Sequence, residues 1–337
     1  MEGNTFLILF ISFIISVITH YIIIKIAHKR GIFIDDHESN QPQKFHDSPT
    51  PRVGGLGVFL ACLLFAYKSE VGLPLLICSI PAFLSGFFED LFGNISPKNR
   101  LVIMAISALI AIFYLDVVVM NFGIFHAPYA VGVAISFIAI LGLINGTNMI
   151  DGYNGLLSGT SIIIFSAFAY VCYQENDIIL CIINLILVAG LLGFVLFNYP
   201  KGFIFLGDGG AYFLGFVMAV IGMLIAKRNP GISPFFVLIC ISYPVMEVIF
   251  SFVRKGLIMK TSPLEPDGFH FHMLVNKVLL KERNYKTVMI ILPIVLIFNI
   301  LGIIFYDNQL ALMLGTLGFI SIYIIFYGWL KKKNKRA

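Results

Sequence analysis

A chain of 337 residues that is 59% hydrophobic and only 12% charged is not an ordinary soluble domain, in which about a quarter of residues carry charge. Its net charge of +5 comes mostly from basic residues beside apolar stretches, which suits anionic lipid headgroups and gives no reason to invoke nucleic acid. The 5 cysteines all lie inside apolar stretches without metal-ligand spacing, so neither a disulfide framework nor a thiolate metal site is expected.

Apolar stretches near or above the roughly 20 residues that cross a bilayer as a helix run over 5–26, 73–88, 101–121, 129–149, 156–173, 178–197, 232–253, 287–306 and 309–330. Two weaker ones, 53–67 and 211–226, bring the count to eleven, an odd number that puts the termini on opposite sides. With the N-terminus outside, every Lys and Arg except Lys68, Lys227 and Arg228 falls on the cytoplasmic side, as the positive-inside rule requires. The first stretch has no basic n-region and no small-residue cleavage site, so it reads as a retained helix. The expected fold is an all-α polytopic membrane protein, one domain over 1–337, built as a bundle of about eleven helices with a cytoplasmic C-terminus. Its longest polar segments are a first cytoplasmic loop, 27–52, and a second, 254–286.

The polar breaks on the cytoplasmic side carry the chemistry. In the first, Lys44, His46 and Arg52 lead into Pro49-Thr50-Pro51-Arg52-Val53-Gly54-Gly55, where Pro sets an extended turn and the Gly pair permits close backbone approach. Arg52 can hold a phosphate there, or serve only as a snorkelling anchor. The second break places Glu89 and Asp90 at the end of an apolar helix, where like charges repel and burial adds to the cost, which a cation relieves. Asn145, Asn148 and Asp151 follow at three-residue spacing, one face of a helix. A polar stripe on an apolar span is a functional candidate, with interhelical hydrogen bonding as the plainer alternative.

Next, Asp208 stands among Gly207, Gly209 and Gly210 just before a helix, a setting that lets backbone bend around a phosphate. The last break holds His270-Phe271-His272, two histidines able to donate to phosphate but too few for a structural zinc site. Upstream, Glu247 precedes Arg254 and Lys255 and reads equally as their ion partner in helix packing. Carboxylates suited to Mg²⁺ and cations suited to phosphates converge at one membrane face. That combination points to an integral-membrane enzyme moving a phosphoryl group.

From Pro49 to His272 these motifs, in this order, resemble the polyprenyl-phosphate N-acetylhexosamine-1-phosphate transferase family, on the branch handling undecaprenyl phosphate and GlcNAc-1-phosphate. The resemblance implies a site at the cytoplasmic face of a bacterial inner membrane. Undecaprenyl phosphate would attack the β-phosphorus of a UDP-N-acetylhexosamine, release UMP and start a surface glycan such as O-antigen, capsule or teichoic acid. It further implies Mg²⁺, with Mn²⁺ as a substitute, held by Asp208, Asp90 and Glu89, which are also the catalytic candidates. Asn145, Asn148 and Asp151 would lie by the nucleotide. His270, His272, Arg254, Lys44, His46 and Arg52 would meet the substrates' phosphates, and a homodimer is allowed. Glu89 and Asn154 stand where relatives carry Asp, whereas the His270 motif lacks the three-histidine run of the peptidoglycan-precursor branch and has Gly268 where many relatives carry Arg, which favours an aminosugar-phosphate transferase over that enzyme. A non-catalytic scaffold and, less favoured, a transporter are the rival readings.

Overall fold

The computed structural model describes residues 2–31, 50–66, 70–260, 268–280 and 284–335. Among them, nine helices are long and apolar enough to cross a membrane and a bent pair supplies a tenth candidate. The chain is an all-α polytopic membrane protein.

The bundle is organised around a helix from Gly207 to Arg228, numbered α8 in chain order, whose most apolar window is 94% buried. The sequence marks this stretch as weak because Asp208 and three glycines interrupt it at the start, yet those small residues are what let it sit at the centre. On one side lies α3 (Gly72–Phe92) and on another α5 (Tyr129–Ile150). At Gly86 of α3 a side chain would collide with the backbone of Asp208 and Gly209. Around this core run α1 (Glu2–Arg30), α4 (Pro97–Tyr114), α6 (Leu156–Gln174) and α7 (Ile178–Asn198). Two of these helices start on side-chain caps: Ser96 accepts from the Asn99 amide with Pro97 at the first position of α4, and Asp177 accepts from the Leu180 amide to start α7.

Two expected spans differ from their reading. The 53–67 stretch forms α2 (Gly55–Ala61) and a 3-10 turn, Cys62–Ala66, a helical length of about 20 Å against a hydrocarbon core of about 30 Å. It nevertheless joins the two ends of the bundle. Gly55 packs against Gly210 at the start of α8, while α3 begins at the far end and returns Asp90 to that same start. The 232–253 stretch breaks into α9 (Pro234–Cys240) and α10 (Ser242–Val253), bent by 74°. Pro244 has no N–H for the carbonyl of residue 240, and Asn299 Nδ2 donates to that carbonyl instead, at 3.2 Å.

The 254–286 segment is no simple loop where it is described. Arg254–Met259 continues α10 as a wider turn, and α11 (Phe271–Val275) buries Phe271, Met273, Leu274 and Val275 against α12 (Thr287–Ile304) and α13 (Gln309–Asn334). Those apolar side chains outweigh the flanking charges and fold the motif into the bundle. At the opposite end of α8, Lys227 and Arg228 pair with Asp116 and Asp177, a local role for two of the three basic residues that the expected charge separation leaves out.

Candidate active site

The first amides of α8 have no helical carbonyl to bond and carry the positive end of the helix dipole. Acidic residues from two other helix ends meet them. Asp90, near the end of α3, accepts from the Asp208 amide at 3.0 Å and the Gly209 amide at 2.9 Å, one through each carboxylate oxygen. Asp151, just past α5, faces the Gly207 N–H. Gly207 has φ +79°, and a side chain there would run into the Arg52 carbonyl and the Asp90 carboxylate. Glycine is the residue that tolerates this backbone at this closeness.

Asp208 itself is held by cations. Arg100 Nη1 donates to its Oδ2, Arg52 Nη2 lies 3.7 Å from its Oδ1, and the Tyr212 hydroxyl is 3.4 Å from Oδ2. Arg100 occupies the first turn of α4, where the dipole disfavours a cation, and the Asp208 carboxylate offsets that cost. The Arg52 side chain is 40% exposed, so it stays accessible to a ligand. The segment carrying it is stitched to the approach of α8 by the Phe205 amide on Pro51 O (2.9 Å), the Gly54 amide on Phe205 O (2.9 Å) and the Gly55 amide on Leu206 O (2.7 Å). His20 of α1, fully buried, reaches the Gly54 carbonyl with Nε2 at 2.8 Å and holds the same segment from behind.

Burial pushes the Asp151 carboxyl well above the usual carboxylate range; Arg52 opposes the shift, Asp208 adds to it and the Gly207 N–H opposes it again. Of the polar stripe expected on α5, Asn145 donates to the Leu141 carbonyl at 2.8 Å and Asn148 sits half-buried in the last turn. Asp151 leaves helical geometry at ψ 41°, so it swings to α8 and does not continue their face. Glu89 accepts from the Ile95 amide at 2.8 Å and lies within charge range of Arg100. Asn154 packs the neighbouring turn, its backbone amide on Asn284 Oδ1 and its side chain on Pro200 O.

His270 and His272 form a separate, buried cluster with Glu247, at Nδ1 distances of 3.1 and 3.5 Å. Burial pushes the His272 ring below its ordinary range and Glu247 pulls it back. Tyr153, two residues past Asp151, meets His272 edge-on at 5.3 Å between ring centres. Arg254, 2% exposed, donates to Phe269 O at 2.8 Å and to the Tyr327 hydroxyl at 3.3 Å, which anchors the backbone just before the motif. Lys44 and His46 lie outside the described residues. Arg100 and Tyr212 escaped the sequence reading. Ser96-Pro97 marks a helix start, and a first-turn Arg directly after an acidic break is the signal that points to Arg100, while Tyr212 sits one helical turn past Asp208.

The family model for glycosyl transferase family 4 matches residues 73–226, the span from α3 through α8 that builds this acidic end. A protein of Thermotoga maritima named undecaprenyl-phosphate alpha-N-acetylglucosaminyl 1-phosphate transferase is 31% identical over 282 residues, 83% of this chain and 84% of the relative. The chain belongs to glycosyl transferase family 4. A Haemophilus influenzae protein of the same name is 28% identical over 343 residues, covering 95% of this chain and 94% of its own. One from Bacillus subtilis, named a probable undecaprenyl-phosphate N-acetylglucosaminyl 1-phosphate transferase, is 25% identical over 326 residues, 94% of this chain and 88% of the relative. As a member of this family the protein is a membrane-embedded sugar-phosphate transferase.

The donor chemistry bears on the metal that the carboxylates suggest. Among the described residues no three His, Cys, Asp or Glu side chains close into a cage for an ion. Magnesium does not need one, because it is commonly held by one or two carboxylates together with substrate phosphates. Asp90, Asp151 and Asp208 are the hard oxygen donors at this helix end, and each already has a protein partner: α8 amides for Asp90, the Gly207 N–H for Asp151, and Arg100, Tyr212 and Arg52 for Asp208.

Proposed function

We propose that this transferase moves an N-acetylhexosamine-1-phosphate from a UDP-sugar to undecaprenyl phosphate, giving a lipid-linked pyrophosphoryl sugar and UMP. GlcNAc is the sugar in the names of the relatives. The observation that carries the reading is the meeting of Asp90, Asp151 and Asp208 with Arg52 and Arg100 at the start of α8. Carboxylates and guanidiniums interleaved at a helix N-terminus suit a diphosphate whose charge shifts during displacement.

In the displacement, a lipid-phosphate oxygen bonds to the sugar-bearing phosphorus and the bond to the UMP oxygen breaks, its electron pair staying on UMP. Arg52 and Arg100 exchange part of their contact with Asp208 for phosphate oxygens, which positions the donor and offsets the developing charge. Asp208, with Asp151, would hold Mg²⁺ (or Mn²⁺), which when bound neutralises phosphate charge. Asp90 keeps α8, and with it Asp208, in place. The basic ends of α1 and α13 favour a cytoplasmic site in a bacterial inner membrane with the N-terminus outside, and the product would begin a cell-surface glycan.

The test is UMP release by purified protein given undecaprenyl phosphate and a panel of UDP-sugars, with Mg²⁺ and then EDTA. Release with one UDP-N-acetylhexosamine, lost in EDTA and lowered at least about 100-fold in Asp208→Asn, is expected. Silence across the panel from folded protein would refute the reading and favour a scaffold.

A further inference from the structure

The His270-Phe271-His272 motif is one half of a buried arrangement whose other half is Glu247 on α10. Its side chain is 1% exposed in a helix that is otherwise almost wholly apolar. An ionised carboxylate withdrawn from water costs several kcal/mol unless it is paired and hydrogen-bonded, so its surroundings decide whether it can persist. Oε2 lies 3.1 Å from His270 Nδ1 and Oε1 lies 3.5 Å from His272 Nδ1. The two rings are near-parallel, 7° apart with centres at 5.5 Å, and each presents the same nitrogen to a different oxygen. The Tyr243 hydroxyl is 3.3 Å from His272 Nδ1 and also faces Glu247, as does Tyr323 of α13. Tyr153 abuts His272 from the turn after α5, and Arg254 fixes the carbonyl of Phe269.

An ionised carboxylate accepts hydrogen bonds and cannot donate them, so His270 Nδ1, bonded to Oε2, carries a proton, and a proton on His272 Nδ1 is what would satisfy Oε1, which is 3.5 Å away and buried without another partner among the described residues. Nδ1–H is then the tautomer of each neutral ring, which leaves Nε2 as the acceptor. In His272, Nε2 is buried without a hydrogen-bond partner among the described residues. A buried polar atom left unsatisfied costs about 1–3 kcal/mol, which a contact to substrate would recover. Tyr153, whose ring meets His272 at 5.3 Å, is two residues past Asp151 of the acidic cluster.

We propose that Glu247 is a positioning residue for the transfer: it fixes the Nδ1–H tautomer and parallel orientation of His270 and His272, so that the His272 Nε2 is presented as an acceptor to an O–H or N–H of the UDP-sugar. This rests on the reaction put forward above.

Glu247→Gln keeps size and shape but brings an amide that can donate, so it no longer dictates which nitrogen is protonated. Full-length protein labelled with ¹⁵N-histidine reports ring tautomers directly, without any activity, and UMP release gives kcat and KM. In wild type both rings are expected as Nδ1–H. In Glu247→Gln the tautomers should mix and kcat should fall about 10- to 100-fold, the scale of losing an orienting partner of a functional histidine, with KM for the UDP-sugar little changed. Glu247→Asp, which restores a carboxylate, should recover the tautomer and part of kcat, separating orientation from general loss of packing. Wild-type rings protonated at Nε2, or a Gln variant with unchanged tautomers and kcat, would overturn the proposal. Nδ1–H rings in a wild-type protein that releases no UMP would support the clamp and refute the reaction.

Discussion

Replacing Asp90 with Asn tests whether this carboxylate holds α8 or handles a proton. Both its oxygens accept from backbone amides, Asp208 at 3.0 Å and Gly209 at 2.9 Å. Asn retains one acceptor and turns an NH₂ group toward the other amide, so one charged hydrogen bond is replaced by two opposed donors. A hydrogen bond to a charged group contributes about 1.5–3 kcal/mol, and the favourable carboxylate–dipole contact adds about 0.3–1 kcal/mol. The expected loss is about 2–4 kcal/mol, read as a lowered midpoint in SDS-driven unfolding, because α8 is the central helix. Activity should fall as Asp208 loses its fixed position, but the residual kcat/KM should keep the wild-type pH profile. An Asp90→Asn protein that unfolds at the wild-type midpoint while losing the acidic limb of that profile would refute the capping role and identify Asp90 as a general base.

Arg100→Met should leave Asp208 with Arg52 as its remaining guanidinium partner and lower kcat/KM by about 10- to 200-fold, the equivalent of one charge-assisted hydrogen bond of 1.5–3 kcal/mol, while Arg100→Lys recovers part of it; steady-state UMP release measures both. His272 supplies a pH dependence. Its folded-state affinity for protons is lowered by burial, so as pH falls through the ordinary histidine range near 6.5 the unfolded chain binds a proton that the folded chain does not, and stability drops. The unfolding midpoint should therefore decline from pH 8 to pH 5, and His272→Gln should flatten that decline.

Much of the site was legible because charge inside an apolar chain is costly and therefore conspicuous. Asp90, Asp151, Asp208 and Arg52 stand out against spans with almost no other ionisable groups, and the structure brings these four to one helix end. Arg100 does not stand out as a site residue in the sequence, where it lies ten residues from Asp90 and far from Asp208. The turn through Gly93 at φ 62° and the cap at Ser96 are what fold α4 back and aim that side chain at α8. Linear proximity makes Arg254 and Lys255 the expected partners of Glu247. In the fold α11 packs into the bundle and delivers both histidines to it, while Arg254 anchors the carbonyl of Phe269.

Composition and apolar period by themselves determined that this protein is a helical membrane bundle, where most spans run and which breaks carry chemistry, because the bilayer forces backbone hydrogen bonds inside each segment. Tertiary structure decided the rest. It centred a stretch that looked weak, because glycines permit contact that larger residues forbid, and it broke a stretch that looked whole, because Asn299 satisfies the carbonyl freed by Pro244. It also assigned partners: whether a carboxylate meets a guanidinium, an imidazole or the amides of a helix end depends on which helix ends share a plane, and linear spacing carries no measure of that.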